Sequence, residues 1–328
     1  MILASSSRKT SATETRVVSR NARLSSSHKK TIIGSEINGI NVSYSKENKP
    51  NYAKRNLVVA TWNATSLVSD SSKLQQLTYN MDKYGLDVLG ITETHMPGIG
   101  SENLDNGGLI IYSGRADGYH YEGIGLALSK RTKDSLINST PVSERIMTAR
   151  LASKQINISI IVAYAPTETS TKKSKDAFYK LLDATYCSLP DHDVKLLMGD
   201  LNARVGQTTS SPSLIGQHSL HDFANDNGSR FQDFCVLHDL AIGGTLFQHP
   251  DIHKATWLHP NGNSVSQIDH ICINRKWRNS LLDVRSYRGA DIVTTHYLVH
   301  SQLKLKFRRL SSDPSSEHQQ PARWFEGI

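Results

Sequence analysis

The sequence predicts an α/β sandwich of roughly 250 residues, and three observations carry that prediction. Short apolar runs rich in β-branched residues recur from Leu57 onward, stretches of helical spacing interrupt them irregularly, and the composition is that of a soluble globular chain. The 328 residues are 38% hydrophobic and 21% charged, with a mean hydropathy of -0.41. That allows one large domain or two ordinary ones. No apolar run approaches the ~20 residues of a membrane helix. Met1-Ile2-Leu3-Ala4, followed by Ser5, Ser6, Ser7 and Arg8, lacks the apolar core of a secretory signal. Cys187, Cys235 and Cys272 are too few and too isolated for a disulfide framework and form no C-x-x-C pair. An intracellular, reducing location is therefore expected, without secretion and without a structural zinc site; the nucleus stays open.

Residues 1–56 differ from the rest. They hold 11 Lys/Arg against 3 Asp/Glu, whereas 57–328 hold 27 of each, so the net charge of +8 resides in this leader. Its first 30 residues contain eight serines and seven Lys/Arg, with Glu14 the single acid. Such a segment buries too little apolar surface to offset the entropy of ordering, and disorder is expected. A transit peptide, an electrostatic arm for nucleic acid, a nuclear-import patch and a solvated tail without a role all stay open. The dispersed spacing of the charges weighs against the first three.

From Leu57, strands are expected over 57–60, 86–89, 109–112, 156–163, 194–198 and 271–273. Helices are expected over 73–83, over 175–189, where Phe178, Leu181, Leu182 and Thr185 recur at 3–4 spacing, and over 230–240, where Phe231, Phe234 and Leu237 do the same. The last strand, 301–307, alternates Leu303, Leu305 and Phe307 with Lys304, Lys306 and Arg308. It reads as a solvated edge strand protected by charge, with phosphate contact as the alternative use of its polar face. A Ser/Pro/Gln-rich tail occupies 310–328, and no internal repeat is present.

The usual nucleotide motifs are missing: there is no G-x-x-x-x-G-K-[ST], Gly123-Ile124-Gly125 does not continue to G-x-x-G, and there is no H-E-x-x-H. His249, His253 and His259 lack a cysteine or carboxylate at ligand spacing and read as ordinary loop histidines. What the apolar runs share is how they end. They lead into Trp62-Asn63, Glu93, Tyr164 and Pro166, and Gly199-Asp200-Leu201-Asn202; Asp269 precedes 271–273 and His296 precedes the last strand. Strand ends on a rigid scaffold are where catalytic groups are commonly mounted. Singly, each has a plain alternative. Asn63 and Asn202 suit turns, Asp200 a turn cap, Glu93 an exposed strand end, Tyr164 a half-buried aromatic, Asp269 a surface ion and His296 a core-edge imidazole.

Taken together, Trp62-Asn63, Thr92-Glu93-Thr94, Tyr164-Ala165-Pro166, Gly199-Asp200-Leu201-Asn202, Thr256-Trp257, Gln267-Ile268-Asp269 and Thr295-His296 resemble the endonuclease/exonuclease/phosphatase superfamily. Within it they are similar to the apurinic-type endonuclease domain of non-LTR retrotransposons and its craniofacial-development-protein-2-like derivatives. Arg145-Ile146, Asn225-Asp226-Asn227-Gly228 and Arg288-Gly289-Ala290-Asp291 agree with that wording. The resemblance covers 57–309. It implies a four-layer α/β sandwich of the deoxyribonuclease-I-like type, with the site at one end of two packed sheets, acting as a metal-dependent DNA endonuclease on the phosphate backbone. It also implies Mg²⁺, with Mn²⁺ as the substitute, held by Glu93 with help from the Asn63 amide oxygen. Asp200 would orient or deprotonate water, and Asn202 would donate to the developing charge. The two would point the same way on extended backbone. Asp269 would hold His296 in one tautomer and favour its charged form, Tyr164 would add a bond to the phosphate, and Trp257 would be structural. A monomer is assumed.

Two departures stand out. The family reads Ser-Asp-His before the last strand where this chain has Thr294-Thr295-His296, so a carboxylate that contributes to the metal site is a neutral threonine. Gly243-Gly244-Thr245 replaces an Asn-Thr, which loosens a loop at most. The alternative is thus a degenerate domain that keeps the fold and DNA contact with little catalysis. Sister phosphoesterases acting on RNA, inositol phosphates or lipids are disfavoured by the wording at 225–228 and 288–291. The chain stops before a reverse transcriptase would fit, as expected of a stand-alone or truncated copy.

Overall fold

A β-α-β unit opens the described part of this computed structural model, which comprises residues 56–305 apart from 71, 118, 120, 155 and 208–210. The leader up to residue 55, the tail over 310–328, and Lys306, Phe307 and Arg308 of the expected last strand lie outside the described residues. Strand β1 (Leu57–Asn63) is joined through α1 (Lys73–Lys83) to its parallel neighbour β2 (Val88–Thr92). Strands β3 (Ile99–Asn103), β4 (Leu109–Ser113) and β5 (Ile124–Leu128) follow as an antiparallel extension. Next come β6 (Leu136–Pro141), β7 (Ile146–Leu151) and β8 (Ile158–Tyr164). The second β-α-β unit runs from β8 through α2 (Lys172–Ser188) to the parallel β9 (Val194–Asp200). Helix α3 (Asp226–Leu237), β10 (Leu240–Ile242), the short pair β11 (Trp257–Leu258) and β12 (Val265–Ser266), β13 (Asp269–Asn274), β14 (Leu281–Tyr287) and β15 (Leu298–Leu303) complete the order.

Two sheets result, β14-β15-β1-β2-β5-β4-β3 and β10-β13-β9-β8-β7-β6. Period-2 alternation sorts their side chains into layers. Leu57 and Val59 of β1 enter the core shared by the two sheets, while Val58, Ala60 and Trp62 pack with Leu77 and Met81 of α1. Phe178 and Leu182 of α2 and Phe231 and Phe234 of α3 join the core on the far side of the second sheet. The layers are therefore helix, sheet, sheet, helices: the four-layer sandwich. Each fully buried aliphatic side chain contributes about 1.5–3 kcal/mol. β1, β2, β8 and β9 are buried along their whole length, as strands covered on both faces must be.

The last strand departs from expectation. It starts earlier, at Leu298, and lies between β14 and β1, paired antiparallel to both, so it is interior rather than an edge. Leu303 and Leu305 are buried and Lys304 is exposed, so the alternation is real while its edge reading is not. Helix α3 begins four residues before the expected 230 because the Asn225 side chain caps it, accepting from the Gly228 amide at 2.7 Å. Leu240, expected in that helix, instead starts β10.

Candidate active site

Topology brings the polar strand ends to one end of the sandwich. β1, β2, β8 and β9 all finish there, and β13 and β15, antiparallel to β9 and β1, begin there. Gly90 marks a close approach of the sheets, where a Cβ would meet the Met198 sulfur at 3.0 Å. Met198 thus faces the first sheet, and so does Asp200 two residues on. By the same alternation Asn63 faces inward from β1. The two meet: Asn63 Nδ2 donates to Asp200 Oδ2 at 3.0 Å and to Glu93 Oε1 at 2.8 Å. Between them Gly199, at φ +145, has no room for a side chain, since a Cβ would sit 1.9 Å from the Ala163 carbonyl oxygen.

Asp269 sits directly opposite Asp200 in the β9–β13 register, two buried carboxylates across one strand pair. His296 offsets them, with Nδ1 3.1 Å from Asp269 Oδ2. One ligand atom each from Asp200, Asp269 and His296 lies within 4.8 Å of the other two. Tyr164 completes the ring by donating its phenol to Glu93 Oε1 at 2.8 Å. Among the described residues, none of Glu93, Asp200 and Asp269 is ion-paired to lysine or arginine. The charges therefore tune one another. Burial, then the neighbouring Asp269 charge, pushes the Asp200 carboxyl up to about 7. Burial works against a charged His296, but the charge and hydrogen bond of Asp269, followed by Asp200 and Glu93, outweigh it and raise the imidazole to about 9. Burial and the adjacent carboxylates hold the Tyr164 phenol above its ordinary value.

All seven expected site residues gather here, but two are placed differently from the reading. Asn63 turns its amide oxygen to the Thr65 N–H at 3.0 Å and presents its N–H group to the carboxylates. As placed, it clamps two acids rather than offering oxygen to a cation. Asn202 does not lie on extended backbone; it is left-handed at φ +49, because β9 ends at Asp200. Its N–H donates to Asp200 Oδ1 at 2.9 Å and its Nδ2 to the Ala165 carbonyl at 3.0 Å. Thr295 is exposed, and its hydroxyl accepts from Trp257 Nε1 at 3.1 Å.

Other contributors escaped the sequence reading. The indole of fully buried Trp62 donates to the His296 carbonyl at 3.0 Å, tying the first strand to the residue before the last. Thr294 bonds the Asn63 carbonyl and accepts from the His296 amide. Thr256 Oγ1 accepts from the Ile268 and Asp269 amides. The Arg145 guanidinium lies 4.9 Å from the Tyr164 ring centroid and pairs with Glu122. His95 lies 3.9 Å from Glu93. Their signal was adjacency: Thr294, His95 and Arg145 flank or belong to the quoted motifs.

A four-layer α/β sandwich with carboxylates and an acid-paired imidazole at the strand ends defines a class. The chain belongs to the Endonuclease/Exonuclease/phosphatase family, whose model matches residues 60–315. It is similar to craniofacial development protein 2 of Tragulus javanicus, 31% identical over 80% of this chain and 45% of that protein. The chain thus spans under half the length of that curated relative. Among solved structures, the fold is similar to the AP endonuclease LMAP from Leishmania major, at 14% identity and TM-score 0.57 over 76% of this chain and 88% of that one. A variant of the 3' phosphatase NExo from Neisseria, bound to product DNA hairpin, gives 18% identity and TM-score 0.57, covering 76% and 99%. The endonuclease domain of TRAS1, a telomere-specific non-LTR retrotransposon, gives 14% identity and TM-score 0.51, also covering 76% and 99%. No helix among the described residues is long and apolar enough to cross a membrane.

Proposed function

We propose that the chain is a Mg²⁺-dependent phosphodiesterase, a DNA endonuclease of retrotransposon type that directs water at a backbone phosphate. The observation that carries this reading is the meeting of Asp200, Asp269 and His296 within 4.8 Å, with Glu93 tied in through Asn63 and Tyr164. The donor set suits a hard divalent cation: carboxylate oxygens predominate, and among the described residues no lysine or arginine is paired to them and Asp269 Oδ1 is buried without a hydrogen-bond partner. When bound, Mg²⁺ (or Mn²⁺) supplies charge neutralisation at the phosphate and the leaving oxygen. Glu93 would hold it, with Asn63 fixing the spacing of Glu93 and Asp200.

Asp200 orients the attacking water and takes its proton as the new P–O bond forms and the ester P–O bond breaks. His296, kept charged by Asp269, binds a non-bridging phosphate oxygen through the ring nitrogen that Asp269 leaves free. The second N–H of the Asn202 amide, beyond the one given to Ala165, would add a hydrogen bond where charge develops, while Tyr164, whose O–H is given to Glu93, fixes that carboxylate. The similarity to a protein caught with a DNA hairpin and to a retroelement endonuclease domain supports DNA as the substrate, with the phosphate backbone as the main contact. Asp200→Ala should lower Mg²⁺-dependent nicking of supercoiled plasmid by about 10³-fold; unchanged nicking would place the site elsewhere. One observation favours the second reading, a weakened or inactive DNA-binding domain: Thr295 stands where an acid is expected and is engaged with Trp257. No nicking by the full chain in Mg²⁺ or Mn²⁺, with DNA binding intact, would select it.

A further inference from the structure

A second cluster of ligand side chains lies away from this site. Asp183 and Cys187, four residues apart, share one face of α2, and His238 follows the last residue of α3. One ligand atom each from the three lies within 4.8 Å of the others. Helix α3 runs from the active site toward this cluster: its cap residue Asn225 donates to the Asn202 carbonyl at 3.1 Å, and twelve helical residues span ~18 Å before His238.

The imidazole is held in place before any ligand arrives. Its ring centroid lies 4.5 Å from those of Tyr186 and Phe234, its side chain is only 10% exposed, and Nε2 is 2.7 Å from Asp183 Oδ1. The Asp183 side chain is 47% exposed and Cys187 is exposed, so solvent reaches the open side. A surface ion pair needs no thiol beside it. One nitrogen, one oxygen and one sulfur on two helices form instead the donor set of a borderline-soft transition ion, which Mg²⁺ would not select. Spacing along the chain hid this, because the cysteines look isolated while the partners come from different helices; the expectation of no structural zinc rested on that spacing.

We propose that Asp183, Cys187 and His238 form a second metal site, for zinc or a chemically similar ion, that clamps α2 to the end of α3. Binding releases the thiol proton, and any proton on Nε2, to solvent, and the ion replaces the His–Asp contact, widening it from 2.7 Å to the ~3.3 Å edge of a tetrahedron. Water fills the fourth position.

The test uses the full chain in excess Mg²⁺, with Co²⁺ as the optical probe. A thiolate-to-cobalt charge-transfer band should grow to one equivalent, be displaced by Zn²⁺, and vanish in Cys187→Ser. That variant should nick DNA as the parent does. The acidic cluster contains no sulfur, so the band distinguishes the two sites. At tenfold excess over its Kd, Zn²⁺ should slow the reaction of Cys187 with a disulfide reagent about tenfold. No band in the parent chain, or a band that survives Cys187→Ser, overturns the proposal.

Discussion

Strands β2 and β9 each run between two acidic residues, and the two ends are treated differently. At the start of β2, buried Asp87 is met by Arg131 and accepts from the Val58 amide at 2.9 Å. At the start of β9, Asp193 takes a two-pronged contact from Arg150, 2.7 Å and 3.0 Å, plus the Ser159 hydroxyl at 2.7 Å. At the other ends stand Glu93 and Asp200, which have an amide, a phenol and a histidine nearby but no guanidinium paired to them among the described residues. Acidic charge and strand are held constant, so the difference isolates purpose. The arginine-paired ends are internally compensated and hold the fold. The site end leaves negative charge for something brought from outside.

Substitutions at the paired end should therefore destabilise, while those at the site end should not. Asp193→Asn should destabilise by about 3 kcal/mol, because it leaves Arg150 facing a neutral amide in a buried setting. Asp200→Asn should change stability by less than about 1 kcal/mol, since relief of the repulsion from Asp269 offsets the loss of one of the two hydrogen bonds that its oxygens accept from Asn63 and Asn202. Denaturant titration of both variants checks this, and equal losses would dissolve the comparison.

The next effect is pH-dependent. Burial opposes ionisation of Asp193, but the Arg150 and Ser159 hydrogen bonds outweigh it and hold the carboxyl below its ordinary value. A depressed folded pKa contributes stability that is present above the unfolded value, about 3.9, and lost as pH falls through the folded one. Parent and Asp193→Asn stabilities should then converge on acidification from about pH 6 to pH 3. Curves that stay parallel would mean the ion pair contributes nothing. The smallest effect tests how incomplete the site end is. Thr295→Asp should lower the Mg²⁺ concentration for half-maximal nicking about tenfold; an unmoved titration would show that the acid is not needed there.

How legible this was depended on burial. The doubly covered strands β1, β2, β8 and β9 carry predominantly apolar runs, and α1 matched its expected ends at Lys73 and Lys83, because their environments select residue type strongly. The edge strands β3 and β6 are exposed or half-buried and carry no apolar run to mark them as strands, and β14 mixes Asp283 and Arg285 with its apolar positions. The interior place of β15 was hidden because a charged alternating strand reads as an edge unless its partners on both sides are known. The site residues were legible as odd polar endings of apolar runs. Their side-chain directions were not: Asn202 depends on a left-handed turn and Asn63 on a rotation of its amide toward Thr65, neither of which a motif encodes.

The bond from Trp62 to the His296 carbonyl spans 234 residues of chain, and β1 borders β15 along most of its length. A ribosome adding ~5–20 residues per second needs on the order of tens of seconds to deliver the second partner after the first. Through that interval one of the most apolar strands of the protein waits with a bare edge. Chaperone occupancy of nascent chains, and the yield of soluble protein after cold or rapid expression, should therefore be governed by this one late closure.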